Sequence, residues 1–486
     1  MRQRRLFLIA LAVLALTLVI VPEALAAAGG GSSGFSGGGG GGGGGGHGSG
    51  FALYVLVDLL IHIALLGHGL GLLVLIALGL LYLFLTRGMP FFTQWFQSRA
   101  GARSGRNGDV AKRQRRVEAA AAEAAEDDPE FAPDNVRATA AALFMDIQRA
   151  WDADDRTHLR GLVAPDLLAE WERRLDDFHR RGWRNHVEPL GEPAIEYVGL
   201  THRGDRDTDR VVVLVEARLK DYVVDRFGRH LKRAGRLGET TRVREFWTLG
   251  RQPDDSGAAR SSEAGRRASR KPEDHWVLIS IEQGAEGRHA LDEQIVATPW
   301  SDERGMRDEA LVEAAVADAV PEGTKVAEVA DLQFEGDAQS AANDLSVADG
   351  RFSPDVLEIA ARRAIDAWAQ AVDGNDANLR RIATAPATRE LLYPNDPSGH
   401  TRLVVRGPEV KRIRIVGLDA ASEPPTMTVE IDVTGRRYLE DRDTTAVVSG
   451  SRSRKASFTE RWTMALDGDA AQPWRIVAVV SPVARA

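Results

Sequence analysis

Apolar residues at Val136, Ala140, Leu143, Phe144, Ile147 and Trp151 recur at the spacing of one helix face. A second helical stretch, "THLRGLVAPDLLAEWERRL", follows with Pro165 between turns. The same form returns in "PDVLEIAARRAIDAWAQAVDGNDANLRRIATAPATRELL": helix, acidic turn, Leu-Arg, Pro, helix. After each helical part come short runs rich in β-branched and aromatic residues, "RVVVLVEARL" and "REFWTLG" in the first, "TMTVEIDV" and "FTERWTMAL" in the second. Helices first and strands later predict an α+β fold, with helices packed on a curved antiparallel sheet.

The two parts also match in detail. "YVGL" (Tyr197 to Leu200) pairs with "IVGL" (Ile415 to Leu418), and "DYVVDR" (Asp221 to Arg226) with "RYLEDR" (Arg437 to Arg442). "REFWT" (Arg244 to Thr248) pairs with "TERWT" (Thr459 to Thr463), and "HWVLISI" (His275 to Ile281) with "PWRIVAV" (Pro473 to Val479). Four matches in order predict two tandem copies of one domain. The charged, Gly/Ser-rich insertion "RQPDDSGAARSSEAGRRASRKPED" lengthens the first copy and reads as a disordered loop.

The first third has a different pattern. Residues 1–28 carry the basic, apolar and small-residue regions of a secretory signal, with Ala24-Leu25-Ala26 as its cleavage site, or stay on as a first membrane helix. Residues 29–50 form a glycine-rich tether. Residues 51–86 are apolar enough for a membrane span, placed near Leu70 to Leu85, behind an interfacial lead-in that carries Asp58 and His62. A basic then acidic linker, 87–131, comes next. The first copy is assigned to 132–300, an acidic linker with one helix ("EALVEAAVADAV") to 301–350, and the second, diverged copy to 351–486. The arginines after the span place both copies on the cytoplasmic side of a cell membrane. Within that cluster Arg103, Arg106, Lys112, Arg113, Arg115 and Arg116 are the candidate contacts to anionic lipid headgroups.

Composition narrows the chemistry. The chain of 486 residues has no cysteine, which removes disulfides, thiolate metal sites and cysteine nucleophiles. A net charge of −8 argues against nucleic acid as a partner. The eleven histidines show no metal-ligand spacing, no nucleophile elbow or P-loop appears, and no cofactor is implied. The candidate ligand contacts are the strand aromatics Tyr222, Trp247, Trp276, Tyr438, Trp462 and Trp474, which either pack the core or line an apolar cavity. Tyr222 with Asp225 and Arg226, and Tyr438 with Asp441 and Arg442, read as turn caps or surface ion pairs. Glu245 and Glu460, just before the tryptophans, read as exposed cross-strand partners that face away from them.

At "DYVVDR", "REFWTLGR" and "HWVLISIEQ" the first copy resembles the Tim44-like domain, the C-terminal domain of the mitochondrial import inner-membrane translocase subunit 44 and its bacterial relatives. The resemblance covers 132–283 well and 351–486 more loosely. It implies the cone-shaped fold of the nuclear transport factor 2-like superfamily. In the mitochondrial family the domain contacts the membrane through cardiolipin and scaffolds an import motor. The expected function is a non-enzymatic, membrane-anchored binding scaffold for a lipid, an apolar peptide or a partner protein, in protein translocation or membrane assembly. The alternative is a cone-fold enzyme of isomerase, dehydratase or hydrolase type. That reading requires one copy with a buried, perturbed carboxylate and the other degenerate.

Overall fold

The structure, a computed structural model, describes residues 28–32, 35–36, 111–233, 239–251, 276–321, 338–371 and 376–479. Residues 1–27 of the expected leader, the span at 51–86, the loop after Arg251, and Arg103 and Arg106 lie outside the described residues. Among those described, no helix is long and apolar enough to cross a membrane. Contacts divide the chain into two units, 38–115 and the remainder, and the remainder holds two lobes with separate hydrophobic cores.

The first lobe begins earlier than the sequence pattern suggests. Residues 111–127 are helical, and Val117, Ala121 and Ala124 are fully buried. Their spacing of four and three lines one helix face, so the expected linker contributes the first core helix. A 3₁₀ turn at Pro129–Phe131 leads into the Pro133–Asp152 helix, then Arg156–Leu159 and Pro165–Arg181. Proline opens both long helices, where its missing N–H costs nothing, and Gly182 at φ 66° ends the second.

These helices pack on a sheet of β2 (Trp183–Pro189), β3 (Ala194–Thr201), β4 (Arg210–Asp225), β5 (His230–Arg233), β6 (Thr240–Arg251) and β7 (Trp276–Gln283). The N-terminal β1 (Phe35–Ser36) pairs with β5 at one edge. β4 is the central strand: β2 and β3 share one side of it, β5 and β6 the other, all antiparallel. Its burial alternates over most of its length, as a one-faced sheet requires.

The second lobe takes in the described ends of the expected linker, 301–321 and 338–350. Helices Glu303–Ala317 and Ala338–Ser346 put Val312, Ala315, Ala342 and Leu345 into its core. Helices Pro354–Gln370, Asp376–Ile382 and Ala385–Leu392 follow. They pack on β8 (Thr401–Asp419), β9 (Thr426–Asp441), β10 (Val447–Gly450), β11 (Ala456–Ala465) and β12 (Arg475–Val479). One bulged strand, β8, pairs along β9 where the first lobe uses two.

The packing recurs contact by contact. Asp128 caps the 3₁₀ turn at Pro129–Phe131 as Asp349 caps the one at Gly350–Phe352. Phe131 meets Trp276 edge-on at 5.2 Å, and Phe352 meets Trp474 edge-on at 5.5 Å. Ala164 N–H donates to Leu278 and Thr384 N–H to Ile476, each fastening a helix start to the last strand. Phe144 packs on Trp247, and Trp368 on Trp462.

Candidate functional site

The expected cavity-lining tryptophans are core. Trp247, Trp276, Trp462 and Trp474 are at most 1% exposed. Trp276 Nε1 donates to the Glu130 carbonyl at 3.4 Å and Trp474 Nε1 to Arg351 at 2.9 Å, each holding a strand to a 3₁₀ turn. The tryptophans fill the lobes with their own rings.

Glu245 and Glu460 are buried, contrary to the expectation that they are exposed and face away. Strand side chains repeat every two residues, so Glu-x-Trp sets acid and indole on the same face. Trp247 Nε1 donates to Glu245 Oε2 at 3.0 Å. Burial pushes the Glu245 carboxyl up to about 7, an effect the indole donor partly offsets. Burial likewise raises Glu460, against the pull of Arg437.

The two tyrosines of the repeated "DYVVDR" and "RYLEDR" part company. Tyr222 is half-buried and stacked between His186 and His230, with Lys220 over its ring. Tyr438 is buried, and its hydroxyl donates to Glu286 Oε1 of the first lobe at 2.6 Å. Arg226 is exposed over Phe227. Its counterpart Arg442 reaches across the lobes to Glu170, with Nε 3.0 and 3.1 Å from the two carboxylate oxygens. The two aspartates do cap turns: Asp225 accepts from Phe227 and Arg229 N–H, Asp441 from Thr444 N–H and Oγ1.

A seam of buried charge therefore joins the lobes. Glu170 is clasped by Arg442 and, at 3.1 Å, by Arg402, while Arg402 also donates to Asp376 at 3.2 Å. Burial works to raise Glu170, but the guanidiniums outweigh it and hold the carboxyl below its ordinary value. Arg406 lies 3.4 Å from Glu282, which also takes His289 at 2.6 Å. Burial works to lower His289, but Glu282 and Glu293 carry it up to about 10. Arg173 and Arg180 meet Asp443 at the rim. The seam encloses a cavity of about 90 Å³, lined from the first lobe by Glu170, Trp171, Arg174, Glu245 and Glu286, and from the second by arginines and Tyr438.

The last residue of the expected leader and the start of the expected tether line one side of this cavity. Ala28 N–H donates to Gln148 at 2.9 Å, Gly31 N–H to Thr445 Oγ1 at 3.2 Å, and Ser32 Oγ to Asp177. Gly29 has φ 91°, and a Cβ there would stand 2.5 Å from the Trp171 indole, so glycine is needed for fit. Of the basic cluster after the expected span, Lys112, Arg115 and Arg116 are exposed on the first helix and Arg113 is half-buried.

Sequence reasoning missed Glu170, Arg402, Glu286 and Arg406. One signal was present: Glu170 shares the apolar helix face of Leu167 and Trp171, a place for a charge only if something pairs it.

Comparison with known proteins finds a similarity in the first lobe. Residues 117–282 match the family model of the Tim44-like domain. The match begins at the buried Val117, within the first core helix, and ends within β7. A Tim44-like domain fits a general binding or scaffold role. The match leaves the second lobe unassigned. No curated protein matches the chain. Among solved structures, an "Ntf2 like protein involved in plasmid conjugation" aligns with 9% identity over 70% of this chain and 94% of its own, at a TM-score of 0.16.

Proposed function

We propose that this protein is a non-enzymatic binding scaffold in which two copies of a Tim44-like domain act as one body, carried at a membrane by the apolar segment at 51–86. One observation carries the reading: Glu170 of the first lobe is buried between Arg402 and Arg442 of the second. A buried carboxylate with two guanidiniums is geometrically demanding and strongly penalised when either partner leaves, so it fixes how the lobes meet. The filled tryptophan cores favour a partner protein on the outer surface over a lipid or apolar peptide inside either cone.

One observation speaks for the cone-type enzyme: Glu245, buried, raised to about 7 and facing the cavity. The enzyme reading requires one active and one degenerate copy. Glu460 has the same position and burial in the second lobe, and among the described residues Glu245 bonds to an indole two residues away. This supports a structural role for both.

Native mass spectrometry of the full chain, released from its own membranes in mild detergent, tests the proposal. The expected spectrum shows the chain free of lipid and retaining a protein partner in fixed ratio. A stoichiometric lipid adduct that disappears in Trp247→Ala would return the ligand to the cone and overturn this reading.

A further inference from the structure

We propose that both flanks of the apolar segment at 51–86 stand on the same side of the membrane, so that the chain returns to the face from which it left. This rests on the reading of that segment as the membrane carrier. Its ground is the docking of residues 28–36 on the first lobe. Ala28, ahead of the segment, and Val117, behind it, are buried in one hydrophobic core, and Phe35 packs against that core. Residues that build one core lie on one side.

The docking is specific. Ala28 N–H donates to the buried Gln148, Arg174 to the Gly29 carbonyl, and Ser32 Oγ to the buried Asp177. β1 then extends the first sheet in a set register, with Phe35 opposite Arg233 and Ser36 opposite Lys232. Glycine is required twice. A Cβ at Gly29 would stand 2.5 Å from the Trp171 indole, and one at Gly31 would stand 2.1 Å from the Thr444 carbonyl. A glycine run that only spans a distance needs no such fit to its surroundings.

The membrane turns this contact into a topology. A single crossing would leave the two flanks on opposite sides of about 30 Å of hydrocarbon. Ser36 and Val117 could not then belong to one lobe. The chain between them therefore crosses an even number of times or stays in the interface. The sequence offers a place to turn: Gly67-His68-Gly69 divides 51–86 into two apolar runs, each shorter than the roughly 20 residues of a straight span. This differs from the single crossing near Leu70 to Leu85 that hydropathy alone suggests. Whichever face the arginines after the segment select for the lobes, the start of the tether lies on it too.

The full chain in sealed right-side-out vesicles tests the proposal, because it has no cysteine of its own. Ser49→Cys, just before the segment, and Glu192→Cys, exposed on the first lobe, are probed singly with a membrane-impermeant thiol reagent, before and after detergent. The same access is expected at both: both labelled from outside, or both only after detergent. Opposite access would overturn the proposal. In the double variant Ser36→Cys with Lys232→Cys, oxidation should close a disulfide within one chain. A disulfide between two chains would assign the docked segment to a second copy and overturn it as well. Alkaline carbonate washing of the same vesicles separates the two failures. A retained chain with opposite access sinks the topology alone, whereas a chain washed off the membrane sinks the membrane reading with it.

Discussion

The two lobes carry the same hairpin motif in opposite circumstances. In the first, Tyr222 and Arg226 belong to a wet edge, the tyrosine among histidines and the arginine over Phe227. In the second, Tyr438 and Arg442 are drawn into the seam and bond to Glu286 and Glu170. What the lobes share, the tryptophans and their capped turns, builds each core. What they do not share, the buried pairing of Glu170 in the first with Arg402 and Arg442 in the second, builds the joint. Two lobes with matching core contacts thus meet through charges on surfaces that the cores do not use.

That contrast can be broken in graded steps. Trp247→Ala and Trp462→Ala each remove a filled core indole and should cost about 3–5 kcal/mol in chemical denaturation, alike in both lobes. If one is far cheaper, the cores are not equivalent. Arg442→Gln leaves Glu170 with one guanidinium and should cost about 3 kcal/mol, whereas Arg226→Gln should change stability by less than about 0.5 kcal/mol. Equal effects would dissolve the distinction between seam and edge.

A third step uses pH. The Glu245 carboxyl is raised to about 7 in the fold, so its favourable contribution is full below the unfolded value near 4.5 and is lost as pH rises through 7. Relative to wild type, Glu245→Gln should therefore gain about 1–3 kcal/mol between pH 4 and pH 8. A flat difference would mean that the acid is hydrated. Gly29→Ala should act locally as well as globally, costing about 1 kcal/mol or more while stripping hydrogen-exchange protection from Ala28 and Gly31.

Much of this was legible in the chain. The helix periodicity, the strand runs and the repeated Glu-x-Trp-Thr led to lobes of helices on antiparallel sheet, because these signals are local or repeat in order. The seam was not, since Glu170 and Arg442 are 272 positions apart and nothing local marks them as partners. Two local clues were misread. The Glu-x-Trp spacing places both side chains on one face of a strand, and the Val117, Ala121, Ala124 stripe marks a core helix within an acidic, alanine-rich stretch. Both follow from side-chain period alone; net polarity obscured them.

The central claim is that the lobes move as one body. The absence of native cysteine makes it directly measurable. Spin labels at Glu192→Cys in the first lobe and Ser453→Cys in the second, both exposed sites, report the separation by pulsed electron resonance. The account predicts one narrow distance in the full chain that broadens in Arg442→Gln. A broad distribution in the otherwise unchanged chain would contradict it.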